Sequence, residues 1–130
     1  PFVKSGLAGC DMSAGYYLPR LIPLGAATEM MMTGRLIKAD EAFELGLLHC
    51  VVSAEDLDAE VASFVDTLRN GPPIALAFTK RAIRRSLDSP RDAEFDYEVF
   101  AQTNCIQTED HHEGVRAFFD EKRLPEFKGR

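Results

Sequence analysis

The residues best suited to acid–base chemistry lie in segment 6–20, which reads GLAGCDMSAGYYLPR. Asp11 is its one carboxylate, and Gly6 and Gly9 permit backbone conformations and a close approach to a ligand that a side chain would prevent. Burial disfavours the charged form of a carboxylate, so a sheltered Asp11 would suit proton exchange with a substrate. Alternatively, Asp11 or Ser13 caps the helix that follows, which is the commoner use of such residues.

A second group of candidate ligands is the run Asp110, His111, His112 and Glu113. Adjacent histidines on a helix point in different directions and do not converge on one ion. We therefore predict the solvated start of a helix and no metal site. The cysteines at positions 10, 50 and 105 lack the spacing of metal ligands or of a disulfide scaffold, and we interpret them as reduced, mostly buried thiols of a cytoplasmic protein.

Cationic side chains form two clusters, one on a predicted helix with i,i+4 spacing and one around Phe127 near the end of the chain. Such groups bind phosphates, and an aromatic ring beside them can stack on a base, so a nucleotide-bearing ligand is one interpretation. A solvated face paired with acids elsewhere is the commoner outcome. The first cluster is Lys80, Arg81, Arg84 and Arg85, and the second is Lys122, Arg123, Lys128 and Arg130.

The bulk composition argues against several classes of partner. The 130 residues, of which 45% are hydrophobic, suit one domain with a core. A net charge of −6 and scattered aromatic residues argue against a nucleic-acid surface. No apolar run approaches the roughly eighteen residues of a membrane span, and no pattern predicts a secretory signal. The sequence starts at Pro1 without a methionine, and we expect it to be part of a longer protein.

Two parts of the chain differ in predicted secondary structure. Residues 1–52 predict a mixed α/β region in which Phe2-Val3 ends one strand and Leu47–Val52 forms another, with His49 as a core or interface residue. Residues 53–130 predict successive helices and an extended basic tail. Because two strands alone do not make a stable sheet, we expect the other strands to lie outside this sequence.

Several helix boundaries are predicted from individual residues. Gly34 and Gly46 are typical stops, because glycine readily adopts the left-handed conformation at a helix end. Ser53 begins a capping box with an aspartate three residues later, and Thr108 caps the last helix. The helix predicted over Ile74–Leu87 carries apolar residues around much of its circumference, so we expect it to be largely enclosed.

Three stretches of the sequence occur in the same order as similar stretches in a known protein family. The first is FVKSGLAGCDMSAGYYLPRLIPLGAATEMMMTGRLIKADEAFELGLLHCVV, the second is PPIALAFTKRAI, and the third is TEDHHEGVRAFFDEKRLPEFKGR. Together they resemble the crotonase superfamily, the enoyl-CoA hydratase/isomerase family, over essentially the whole chain but only the C-terminal half of the family's usual length. The resemblance implies an α/β fold, with the end of a β/α spiral core in residues 1–52 and a helical trimerisation region in residues 53–130.

The resemblance also implies an activity. Family members bind acyl-CoA and stabilise a thioester enolate with two backbone N–H groups, which belong to family segments preceding the matched region. The implied function is an enoyl-CoA hydratase or isomerase of fatty-acid or related acyl-CoA metabolism, assembled as a trimer or hexamer. Coenzyme A would be part of the substrate, so no separate cofactor is implied. The alternative is a non-catalytic CoA-binding or oligomerisation subunit of the same fold.

The resemblance assigns roles to particular residues. The second hydratase carboxylate lies four residues before the glycine that matches Gly6, and this chain has Phe2 there. Phenylalanine cannot exchange a proton. Asp11 aligns instead with an aspartate that dienoyl-CoA isomerases and 4-chlorobenzoyl-CoA dehalogenase use as base or nucleophile, and is the predicted catalytic residue. The predicted substrate and CoA contacts are Gly6, Leu7, Lys80, Lys122 and Phe127. Neither the acyl chain nor the choice between hydration and isomerisation is predicted.

Overall fold

The computed structural model describes residues 1–130, and its regular secondary structure is helical throughout. Short 3-10 turns span Phe2–Ser5 and Asp11–Ser13, and a π-helical turn spans Arg116–Glu121. No helix is both long and apolar enough to cross a membrane. The α-helices are Ala14–Leu21 (α1), Leu24–Thr33 (α2), Ala39–Glu44 (α3), Leu57–Arg69 (α4), Pro73–Ser86 (α5), Arg91–Ile106 (α6) and Glu109–Val115 (α7).

Two compact units, Pro1–Leu57 and Asp58–Arg130, make up the chain. The predicted division after residue 52 concerned parts of the family's fold and stays a prediction.

The ends of several helices agree with the signals predicted for them. Gly34 directly follows α2 and Gly46 lies two residues after the end of α3, and both adopt left-handed conformations, with φ of 63° and 80°. The Thr108 hydroxyl accepts a hydrogen bond from the His111 amide at the start of α7, 3.0 Å away.

The two predicted strands are absent, and this prediction was wrong for residues 1–130. The first position is a 3-10 turn, in which the Ser5 hydroxyl donates to the Phe2 carbonyl at 2.8 Å. The second is irregular, and the Leu47 amide donates to the Ala42 carbonyl at 2.8 Å. Strands need neighbours for their backbone groups, and residues 1–130 supply no sheet for them to join. His49 is accordingly exposed outside any strand.

The first unit holds the Asp11 loop against α2 through a close backbone approach. A Cβ atom at Gly9 would lie 2.4 Å from the Met31 carbonyl oxygen, and one at Gly15 would lie 2.9 Å from Cys10 Cβ. Neither distance accommodates a side chain without movement of the backbone or its neighbour. Glycine at position 9 is therefore required for packing on α2, in addition to the freedom that the sequence suggested.

The second unit is centred on the α5–α6 hairpin. Phe78, Tyr97 and Phe100 form an aromatic cluster, with ring centroids 5.8–6.4 Å apart. The Arg85 guanidinium lies over the Tyr97 ring, 4.7 Å from its centroid, and Arg85 Nε also donates to Glu94 Oε2 at 3.3 Å. Part of the basic row on α5 thus packs within the hairpin instead of projecting into solvent.

Apolar surface remains uncovered in both units. The accessible surface is 10001 Å². A compact protein of 14.5 kDa exposes about 6,900 Å², and two separate compact domains of half that mass expose about 8,300 Å² together. The apolar stripe of α4 is exposed along its length, and α5, which was predicted to be enclosed, contains no fully buried residue. The enclosure prediction is therefore wrong within this chain.

We predict that Gly9→Ala destabilises the complete protein by about 1–3 kcal/mol, because the new methyl group must displace the Met31 carbonyl. Gly25→Ala is the matched control, since a Cβ atom there has no neighbour within 4 Å. Alanine within α2 should stabilise it by about 0.5–1 kcal/mol. Urea unfolding of both variants measures the difference, and equal midpoints would contradict the packing role of Gly9.

Candidate functional site

Asp11 begins a 3-10 turn immediately before α1. Its carboxylate is exposed, and Oδ1 accepts a hydrogen bond from the Met12 amide at 2.8 Å. The N-terminus of α1 receives no side-chain cap, so the predicted capping role of Asp11 or Ser13 is wrong. The shelter predicted for this carboxylate is also absent within residues 1–130. One Asp11 oxygen has no described partner and is open to solvent, which leaves it accessible to a substrate.

The turn that presents Asp11 contains two adjacent left-handed residues. Met12 has φ of 53° and Ser13 has φ of 65°, and neither is a glycine. A side chain in this conformation costs about 1–2 kcal/mol because Cβ approaches the following carbonyl oxygen. Such strained residues cluster at functional sites, where surrounding structure enforces them. No residue type in the sequence indicated this strain, since neither position carries the glycine that a left-handed turn favours.

The predicted contacts of the first unit share this region with Asp11. Gly6 adopts a left-handed conformation with φ of 79°, as its predicted flexibility allows. Leu7 is 59% exposed, and its amide donates to the Phe2 carbonyl at 3.1 Å. The apolar Leu7 side chain, rather than its amide, is therefore available to a ligand.

The predicted contacts of the second unit lie on two elements. Lys80 is exposed on α5. Lys122 ends the π-helical turn with φ of 51° and reverses the chain, so that the extended tail 123–130 runs back along α7. The Phe127 ring lies over Gly114, where an added Cβ would be 3.5 Å from Phe127 Cε1.

Carboxylates of α7 bind the tail through its main chain. Asp110, which is 3% exposed, accepts hydrogen bonds from the Lys128 amide at 2.6 Å and the Gly129 amide at 2.8 Å. Glu113 accepts one from the Glu126 amide at 3.1 Å. The prediction that these acids form a solvated helix start is wrong for Asp110, which is buried, and the binding of the tail was not predicted. Its only sequence signal is their i,i+3 spacing, which places both on one helix face.

The Glu113 carboxylate also faces two arginines. Arg123 Nη1 lies 2.6 Å from Glu113 Oε1, and Arg116 pairs with Oε2. The Arg123 hydrogen bond, followed by the Glu126 amide and Arg116, lowers the pKa of Glu113 from 4.5 to about 2. Arg123, Lys128 and Glu113 help to line a polar cavity of about 570 Å³.

A second cavity of about 380 Å³ lies beside Phe127 and is mainly apolar. Residues from α5, α6, α7 and the π-helical turn line it, including Ile74, Cys105 and Phe118. Neither Lys80 nor Lys122 lines either cavity.

No group of three or more His, Cys, Asp or Glu side chains is arranged to hold a metal ion. Cys10 and Cys50 are exposed and Cys105 is half-buried, so the expectation of mostly buried thiols is wrong within this chain.

Comparison with known proteins identifies the family. The sequence profile described as "Enoyl-CoA hydratase/isomerase" matches residues 1–130. The chain belongs to the enoyl-CoA hydratase/isomerase family. It is 31% identical over 113 residues to the short-chain-enoyl-CoA hydratase of Clostridium acetobutylicum, covering 87% of this chain and 43% of that protein. It is 34% identical over 134 residues to the carnitinyl-CoA dehydratase of Salmonella typhi, covering 100% and 51%.

Solved structures of family members agree with this assignment. The crystal structure of an enoyl-CoA hydratase from Mycobacterium tuberculosis H37Rv matches with a TM-score of 0.89 and 31% identity. That match covers 100% of this chain and 51% of the other chain. The chain spans about half the length of the curated relatives it matches. Its helices therefore follow the fold of the hydratases over the matched half, although it contains none of the strands that the α/β description implied.

We predict that Arg123→Met raises the pKa of the Glu113 carboxyl from about 2 toward 4.5, and that Arg116→Met raises it less. Carbon-13 NMR titration of that carboxyl measures both shifts. Because folding lowers this pKa, the stability that Glu113 contributes is complete above about pH 4.5 and is lost as pH falls through about 2. A larger shift for Arg116→Met than for Arg123→Met would contradict the described geometry.

Proposed function

We propose that the complete protein adds water to, or removes it from, a carbon–carbon double bond conjugated to a coenzyme A thioester. The named activities of several relatives support this reaction class, since they are hydratases or dehydratases of CoA thioesters. The relatives act on different acyl groups, and residues 1–130 are about half of their length. The proposal therefore concerns the reaction and the CoA thioester, and it leaves the acyl group open.

The proposed proton carrier is Asp11. In hydration, the water oxygen would bond to the β carbon while Asp11 accepts a proton from that water. The electrons of the double bond would move to the thioester oxygen, forming an enolate. Asp11 would then return the proton to the α carbon as the thioester forms again, so that atoms and charge balance. The open Asp11 oxygen beside two strained left-handed residues is the observation that carries this assignment.

Phe2 favours isomerisation as a second candidate reaction. The family's second hydratase carboxylate would occupy this position, and a phenylalanine cannot exchange protons with water or substrate. Moving a double bond requires only one base, which takes a proton from one carbon and returns it to another two bonds away. A single carboxylate at Asp11 is sufficient for that transfer. Hydration with one carboxylate requires the same group to serve both proton transfers.

A non-catalytic role is the contrasting alternative. The exposed apolar stripe of α4 would suit a surface that packs against the remaining part of the protein or against like subunits in a trimer or hexamer. Such a protein would bind CoA esters without converting them. Calorimetric titration with acetyl-CoA beside activity assays separates binding without turnover from catalysis.

The three free cysteines fit the proposed cytoplasmic location, where thiols stay reduced.

We predict that Asp11→Asn in the complete protein lowers kcat at least about 100-fold on crotonyl-CoA or a dienoyl-CoA, because the amide cannot carry the proton. KM should change little, since the side chain keeps its shape. Asp40→Asn, which changes another exposed acid of the first unit, is the control and should leave kcat unchanged. Unchanged rates for Asp11→Asn on every substrate that wild type converts would eliminate its catalytic role.

A further inference from the structure

Main-chain groups of the tail 123–130 form hydrogen bonds with α7, in addition to the ion pairs that the Arg123 and Arg130 side chains make. Three tail amides, at Glu126, Lys128 and Gly129, donate to the Asp110 and Glu113 carboxylates. In return, the Asp110 amide donates to the Arg130 carbonyl at 3.1 Å. These hydrogen bonds lie on both sides of Phe127 in the sequence. They therefore fix the position and direction of the backbone that carries its ring.

Exposure alternates along the tail with a period of two. Pro125, Phe127 and Gly129 are half-buried, whereas Glu126 and Lys128 are exposed. This alternation is the pattern of an extended segment with one face toward the protein. The main-chain hydrogen bonds to α7 thus determine which tail side chains face the helices and which face solvent.

The cationic side chains near the tail differ in whether they form ion pairs. Arg123 pairs with Glu113, and Arg130 pairs with Glu109 at 2.9 Å. No ion pair involves the ammonium group of Lys122 or Lys128 among residues 1–130. A clamp built from main-chain amides leaves these two lysines available for an external anion. They match the chemistry of a phosphorylated nucleotide, which offers phosphate oxygens to cationic groups.

We propose that Asp110 and Glu113 are positioning residues that hold the tail in the arrangement that recognises the nucleotide part of the CoA substrate. This inference rests on the proposed function, because it takes a CoA ester as the ligand. Asp110 is the principal clamp, since it is buried and binds two adjacent amides. Glu113 is the secondary clamp and also fixes Arg123. Neither carboxylate contacts the substrate, and each acts through the tail backbone.

The test compares two substrates of the complete protein, crotonyl-CoA and the crotonyl thioester of N-acetylcysteamine, which lacks the nucleotide. In Asp110→Asn, the new amide group offers a donor where the carboxylate accepted, so one tail amide loses its partner. We expect KM for crotonyl-CoA to rise about tenfold or more with kcat nearly unchanged. For the truncated thioester, kcat/KM should stay at the wild-type value. A purely structural role would lower activity on both substrates alike, and that result would overturn the inference.

Two further variants keep the test informative. Glu113→Gln changes a more exposed side chain and should give the same substrate split with a smaller effect. Asp120→Asn removes an exposed carboxylate from the adjacent π-helical turn and should leave both substrates unaffected. If Asp110→Asn does not fold, Glu113→Gln decides, and an equal loss on both substrates overturns the proposal.

A binding measurement separates this inference from the proposed reaction. Calorimetry with adenosine 3′,5′-bisphosphate, the nucleotide portion of CoA, requires no turnover. Wild type should bind it, and Asp110→Asn should bind it about tenfold more weakly. If wild type binds the nucleotide but converts no thioester, the proposed reaction fails and the clamp survives. No binding by wild type, or equal binding by both proteins, overturns the clamp.

Discussion

The apolar stripes of these helices exceed what residues 1–130 can cover, and this excess explains why so few of their large apolar side chains are buried. Val61, Phe64 and Leu68 are about half exposed on α4, although their helical spacing is that of a core-facing stripe. Each large apolar side chain that is withdrawn from water contributes about 1.5–3 kcal/mol to the free energy of folding or association. Covering a surface of this kind would therefore strongly stabilise the protein. Residues 1–130 therefore form their helices and turns, but most of the apolar burial that would stabilise their tertiary structure does not occur among them.

The local features that it did form show how much the sequence could predict. The stops at Gly34 and Gly46 and the cap at Thr108 depend on residues within one helical turn, and all three were predicted. The predicted bounds of α5, Ile74–Leu87, lie within one residue of the observed Pro73–Ser86. The prediction of a strand at Leu47–Val52 was wrong because a strand depends on a partner strand that residues 1–130 do not supply. An apolar, β-branched segment favours the extended conformation, but it forms a strand only where a neighbouring strand can pair with it.

The candidate site divides in the same way between local and distant causes. Asp11 could be selected from the sequence as the one carboxylate of a glycine-containing loop, and the structure leaves it accessible. The strain at Met12 and Ser13 could not be predicted, because neither residue type favours a left-handed backbone. The role of Asp110 was equally hidden, since its partners lie 18 and 19 residues away in the sequence. Carboxylates that bind main-chain amides leave no charge pattern in the partner segment.

The bonding of the tail through its backbone has a consequence for the divergence of this protein. A substitution at Lys128 or Glu126 keeps the amide that binds α7, whatever the new side chain is, unless it is proline. Gly129 is the exception, because its φ is 75° and a Cβ there would lie 3.0 Å from Pro73. Docking of the tail and the chemistry of its outward face can therefore vary independently over generations. Substitutions can therefore change the solvent-facing side chains of the tail without changing where the tail is held.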